Sequence, residues 1–193
     1  MPREFPFLMN ARRGDAGEWR RLLSDALIRG TPESPIVSRK GQRRSMLLDM
    51  RLPLTNGARA GWIGEQLAWA LRGGFFDARA VASSGVPGTL AVGAVLAQLP
   101  DMEACIIRDK RKTYGRRRLV EGARPESAVY IDDIMVGGNT ALRAIKVLKA
   151  EGIRVEGVLT IVCYGWGRGA ARLSSAGVKA AHLVHLQKKR RLS

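Results

Sequence analysis

Histidine and cysteine are nearly missing from this chain, with two of each among 193 residues. Both cysteines, Cys105 and Cys163, lie inside apolar runs, so buried thiols are expected rather than a disulfide. No Cys/His spacing matches a zinc motif. Long apolar runs are absent too: none approaches the roughly 18 residues that cross a bilayer. The opening Met1-Pro2-Arg3-Glu4-Phe5-Pro6 lacks a signal-peptide core, and a cytoplasmic location is expected. Acidic residues are scarce, 17 against 33 Lys and Arg, which leaves a net charge of +16. Three readings of that excess stand open: a nucleic-acid partner, a substrate carrying several phosphates, or a solvated basic surface.

What is present points to alternating elements. Asp15-Ala16-Gly17-Glu18 is a capping-box pattern, and Trp19, Leu22, Leu23, Ala26 and Leu27 follow at helical spacing until Gly30. Residues 31–45 read as a basic loop or hairpin, and 46–51 as a strand that Pro53 ends. A helix is expected from Trp62 to Leu71, a strand over 78–82, a loop over 83–88 and a small-residue helix over 89–99. Strands at 104–107, 128–131 and 155–163, with a helix at 140–151, continue the pattern. Such alternation implies an α/β fold with a parallel sheet, helices on both faces, and ligands beyond the carboxyl ends of the strands.

The central stretch is Val129-Tyr130-Ile131-Asp132-Asp133-Ile134-Met135-Val136-Gly137-Gly138-Asn139-Thr140. An apolar run meets two carboxylates, passes a glycine pair and enters a helix. Backbone N–H groups and the helix dipole at such a junction suit a phosphate. The carboxylates, being acceptors only, suit hydroxyl donors such as those of a ribose. Asp-Asp, four residues, Gly, one residue and Thr resembles the signature of the type I phosphoribosyltransferases. The resemblance implies that Asp132 and Asp133 hold the ribose of 5-phosphoribosyl-1-diphosphate (PRPP). It implies also that Ile134, Met135, Val136, Gly137, Gly138, Asn139 and Thr140 cradle its 5′-phosphate.

Between two expected strands, Arg108-Asp109-Lys110-Arg111-Lys112-Thr113-Tyr114-Gly115-Arg116-Arg117-Arg118-Leu119-Val120-Glu121-Gly122 concentrates cations. This segment is similar to the mobile catalytic loop of the orotate phosphoribosyltransferases. That likeness implies that Arg108 and Lys112 contact the diphosphate, with Tyr114 beside them, and that the loop acts on the partner subunit of a homodimer. Ser83 and Ser84 fall where the family's diphosphate-contacting loop is found. Arg39, Leu47, Leu48 and Tyr164 fall at base-binding positions. Mg²⁺ is the implied cofactor, held mainly through PRPP rather than by direct protein ligands.

The resemblance covers about residues 36–186 and implies one phosphoribosyltransferase domain over 1–193. An N-terminal helix and small hood are expected over about 1–50, a core over about 51–186 and a basic tail over 187–193. Four departures stand out. Asp109 replaces the Lys that normally follows the loop Arg, and Val136 replaces a Thr or Ser of the phosphate loop. Leu47 and Leu48 replace aromatics, and Cys163-Tyr164-Gly165-Trp166-Gly167 replaces Asp-Arg-x-Glu-Gly. The Arg that pairs with the orotate carboxylate is thereby lost, and a buried carboxylate without its cation costs several kcal/mol. The implied activity is phosphoribosyl transfer from PRPP to a nitrogenous base through an altered base pocket. A PRPP-sensing, nucleic-acid-binding regulator on the same fold is the alternative.

Overall fold

The computed structural model describes residues 7–11, 14–38, 41–110 and 118–188. Strand β1 (Phe7–Ala11) precedes helix α1 (Ala16–Asp25), whose first turn is capped by the Asp15 carboxylate accepting from the Glu18 N–H at 2.7 Å. Trp19, Leu22 and Leu23 form the buried face of α1. The helix ends at Asp25 rather than running to Gly30, although the apolar spacing continues. Residues Leu27–Arg29 instead form β2 and pair antiparallel with β5 (Met46–Leu48), while β3 (Ile36–Val37) pairs with β4 (Arg43–Arg44). Tertiary strand pairing here overrides local helical periodicity. The strand expected over 46–51 is correspondingly short. Pro53, expected to end it, sits inside the one-turn helix α2 (Arg51–Leu54).

Helix α3 (Gly57–Arg72) starts well before Trp62, with the Asn56 side chain accepting from the Arg59 N–H at 3.1 Å. Strand β6 (Ala80–Ser84) leads directly into α4 (Gly85–Gln98), so the loop expected over 83–88 is absent. Gly85 makes the sharp turn possible with a positive φ of 70°. The chain continues through β7 (Glu103–Ile107), β8 (Val120–Gly122), β9 (Ser127–Met135), α5 (Asn139–Ala150), β10 (Arg154–Tyr164), α6 (Gly169–Ser175) and β11 (Ala180–Lys188). Among these, β8 falls within the segment expected to be all loop. Sequence periodicity marked neither α6, β11 nor β1.

The main sheet has the order β1-β11-β10-β9-β6-β7-β8. Its five inner strands are parallel, and the edge strands β1 and β8 run antiparallel to their neighbours. One face packs under α1, α3 and α4, through Leu23, Ile63, Leu67 and Val92 against Ile131 and Leu159. The other packs under α5 and α6, through Leu148 and Leu173 against Tyr130 and Val158. Burial on both faces explains the nearly continuous apolar runs of β6, β9 and β10. Both cysteines are buried without a disulfide, and burial pushes the Cys105 thiol up to about 11. Among the described residues no helix is long and apolar enough to cross a membrane.

Candidate active site

The carboxyl ends of the parallel strands carry the polar residues. Asp132 and Asp133 do not end β9, as the sequence pattern implied; the strand runs on to Met135. Register with β10 sets Asp132 beside Thr160, Ile134 beside Val162 and Met135 beside Cys163. Val136, Gly137 and Gly138 then turn the chain into α5. Gly138 takes a positive φ of 72°, and a Cβ there would stand 3.1 Å from the Gly169 Cα. Helix α5 begins without a side-chain cap. Its first N–H groups, which have no intrahelical acceptor, face the site with the positive end of the helix dipole. A cavity of about 220 Å³ lies here, lined by Asp132, Ile134 through Ala141, and Thr160.

The two carboxylates are electrostatically expensive where they stand. Asp132 is buried and Asp133 half-buried, and the Asp133 N–H donates to Asp132 Oδ1 at 3.1 Å. Burial, then the neighbouring Asp133 charge, holds Asp132 well above the ordinary carboxylate range. Burial also raises Asp133, with Asp49 adding repulsion. Asp49 is itself kept low by Arg51, whose Nε and Nη2 donate to it at 2.7 and 2.6 Å. Hydroxyl donors arriving at the pair would stabilise its ionised form, which is the chemistry of diol recognition.

Ser83 and Ser84 end β6 rather than forming a loop. The Ser84 hydroxyl shares a 2.7 Å hydrogen bond with Tyr130, whereas Ser83 Oγ is buried and, among the described residues, has no hydrogen-bond partner. Thr160 Oγ1, facing the cavity, is in the same condition. A second cavity, of about 570 Å³, opens between the start of α4 and the end of β7 and is lined by Gly85, Val86, Arg108 and Lys110 among others. Arg108 makes a 3.4 Å ion pair with Glu121, and Asp109 one of 3.2 Å with Arg143 of α5. Both pairs are solvent-exposed and weak, so Arg108 can exchange Glu121 for an anionic ligand at little cost. Lys112, Tyr114 and Arg39 lie outside the described residues.

Of the positions matched to a base site, Leu48 is buried in the core and Leu47 is 42% exposed, consistent with alternation along β5. Tyr164 ends β10. Its ring stacks on Trp166 at 4.6 Å and 23°, and Phe7 lies 5.2 Å from Trp166. Burial, with the Asp133 charge second, pushes the Tyr164 hydroxyl up to about 12. Tyr164 follows Cys163, which pairs with Met135 two residues after Asp133 on the neighbouring strand.

Three contributors escaped the sequence pattern. Arg172, on α6, donates through Nη1 to the Gly137 carbonyl and to Asn139 Oδ1, each at 2.6 Å, and so ties down the loop before α5. Gly167 and Gly169 allow 165–169 to lie against that loop: the Gly169 N–H donates to the Val136 carbonyl at 2.9 Å, and a Cβ on Gly169 would stand 2.6 Å from Met135 Cγ. Alternating glycines at 165, 167 and 169 were visible in the sequence, but their partner loop was not.

No family model matches the chain. An orotate phosphoribosyltransferase of Bacillus caldolyticus is 30% identical over 168 residues, covering 85% of this chain and 80% of that one. The UMP synthase of Leishmania donovani superposes with a TM-score of 0.75 at 19% identity, over 89% of this chain and 36% of that longer one. The Mycobacterium tuberculosis orotate phosphoribosyltransferase in complex with PRPP gives 0.66 at 17% identity, over 84% of this chain and 91% of that one. These named relatives are enzymes, and the regulator alternative gains no support from them.

Proposed function

The chain belongs to the orotate phosphoribosyltransferase family, and from that premise we propose that it transfers the 5-phosphoribosyl group of PRPP to a ring nitrogen of a base, releasing diphosphate. The observation that carries this reading is one shared cavity, in which a buried carboxylate sits beside the uncapped start of α5. Those are the two halves of a sugar-phosphate grip: acceptors for the 2′- and 3′-hydroxyls, donors for the 5′-phosphate.

In this proposal Asp132 and Asp133 orient the ribose while the 135–140 backbone holds its phosphate. As the C1–O bond breaks, its electron pair leaves with the diphosphate, and C1 gains oxocarbenium character. Arg108, Lys112 and Tyr114 meet the departing charge, so most of the catalysis is positioning and electrostatics. A base nitrogen then donates its electron pair to C1, and the proton it carried passes to the departing diphosphate or to solvent. The polar lining offers oxygen donors from Asp132, Asn139, Thr140 and Thr160, which suits a hard cation. Mg²⁺, held mainly through PRPP oxygens and water, would supply neutralisation of the diphosphate. Two chains are proposed to act as a homodimer, with the 108–119 segment of each reaching its partner's site.

At the position matched to the family's carboxylate-binding Arg this chain has Tyr164, whose ring stacks on Trp166. We therefore propose a flat acceptor without a ring carboxylate as the preferred substrate. The test is diphosphate release from PRPP and Mg²⁺ with a panel of bases, orotate included. Release with an uncharged base at higher kcat/KM than with orotate supports the assignment; efficient orotate conversion overturns the acceptor preference, and no release with any base overturns the activity.

Two variants probe the grip. Lys112→Ala is expected to lower kcat by about 10²–10³, the scale for one transition-state donor. Mixing it with Asp132→Asn chains should restore turnover if the loop works across a dimer. Arg172→Ala is expected to raise the KM for PRPP about tenfold with a smaller change in kcat, because a charge-assisted bond to the phosphate loop is worth ~1.5 kcal/mol or more. An unchanged KM removes Arg172 from loop positioning.

A further inference from the structure

The chain's two histidines and one of its two cysteines meet at a single place, none of them lining the cavity of about 220 Å³. We propose that Cys163, His182 and His185 form a binding site for a thiophilic first-row divalent cation of the zinc type, behind the phosphate loop. One ligand atom from each residue can be chosen so that all three lie within 4.8 Å of one another. Zn–S and Zn–N bonds of about 2.3 and 2.0–2.1 Å place tetrahedral donors about 3.3–3.6 Å apart.

The convergence is a product of strand register. Cys163 of β10 pairs directly with His185 of β11. His182 is three residues from His185, and a regular strand would send the two to opposite faces. The alternation slips here instead. Leu183 and Val184, adjacent in sequence, both belong to the core under α1, α3 and α4, as do Ile161 and Val162 on the neighbouring strand. His182 thereby returns to the side of Cys163 and His185, and the imidazole centroids are 5.2 Å apart. Cys163 belongs to the other core, with Met135 and Leu173.

One thiolate and two imidazoles select borderline metals over Mg²⁺ or Ca²⁺, which want oxygen. Three protein ligands leave one position for water, reachable past the half-buried imidazoles. The site braces the stretch that matters for function. Cys163 is flanked by Met135 on β9, and a Cβ on Gly165 would overlap His185 Nε2. A bound ion would therefore tie β10 and β11 together where Tyr164, Trp166 and the glycines behind the phosphate loop begin.

The test uses the full chain without an affinity tag, titrated with Co²⁺ under reducing, anaerobic conditions. The expected result is one equivalent bound, with a thiolate-to-cobalt charge-transfer band and intense tetrahedral visible bands. Zn²⁺ should displace them, excess Mg²⁺ should not, and Zn²⁺ should raise the melting temperature. Cys163→Ser should abolish the charge-transfer band and Cys105→Ser should keep it. His182→Asn and His185→Asn should each weaken binding by at least about 10–100-fold, the loss seen on changing even an outer-shell partner. Absence of the band in the folded parent overturns the proposal. So does its survival in the folded His182→Asn/His185→Asn double variant, which decides the matter should Cys163→Ser fail to fold.

Discussion

Asp132→Asn should lower kcat/KM for PRPP by about 10² while making the ligand-free protein more stable. Losing one charge-assisted hydrogen bond to a ribose hydroxyl removes ~1.5–3 kcal/mol. The stability gain has the opposite origin. Burial and the neighbouring Asp133 disfavour the ionised Asp132 carboxylate. Asparagine keeps the acceptor for the Asp133 N–H and has no charge to bury.

The sign with pH follows from linkage. Asp132 has a folded pKa above its unfolded one, so its contribution to stability is fully present below the ordinary aspartate range and is lost as pH rises through the raised value. The variant's advantage over the parent should be near zero at about pH 4 and grow towards about pH 8. A gain of about 1–2 kcal/mol would appear as a rise of about 2–8 °C in melting temperature for a chain of this size. Paired thermal melts across that range check it; equal melting temperatures at the upper pH would show that the carboxylate is not strained. Unchanged PRPP kinetics would remove it from the ribose site.

Gly167→Ala is the second large effect expected. A Cβ there would overlap the Val136 carbonyl oxygen, and the obstacle is backbone rather than a side chain that could swing aside. Either the 165–169 segment or the phosphate loop must move. Overpacking of this kind costs about 1–3 kcal/mol in stability, and displacement of the loop should raise the KM for PRPP about 10–100-fold. The control is Gly93→Ala in the exposed interior of α4, where a Cβ meets nothing within 4 Å. That change should be neutral or stabilising by about 0.5–1 kcal/mol. Thermal melts and PRPP saturation curves on the two variants give the comparison. Parent-like behaviour of Gly167→Ala would mean that the two loops are not in contact.

Legibility followed the distance over which each feature is encoded. The β6–α4–β7 and β9–α5–β10 alternation could be read because strands buried on both faces are continuous apolar runs broken by glycine-marked turns. β2 could not, since Leu27 continues the helical spacing of α1 and only pairing with Met46–Leu48 makes it a strand. Similarly, β1 and β8 are short edge strands whose identity depends on β11 and β7 beside them.

By itself, the sequence determined the two-faced parallel core and the run from Asp132 to Thr140, because acceptors, turn glycines and helix start are consecutive there and need no distant partner. Tertiary structure alone decided what stands behind that run. Arg172 reaches Gly137 and Asn139 across about 35 positions of chain, and Gly167 matters only against Val136. Cys163 joins His182 and His185 only because two parallel strands share a register and a slip in alternation. Local order along a chain records propensity and charge, whereas these contacts arise from which strands lie side by side.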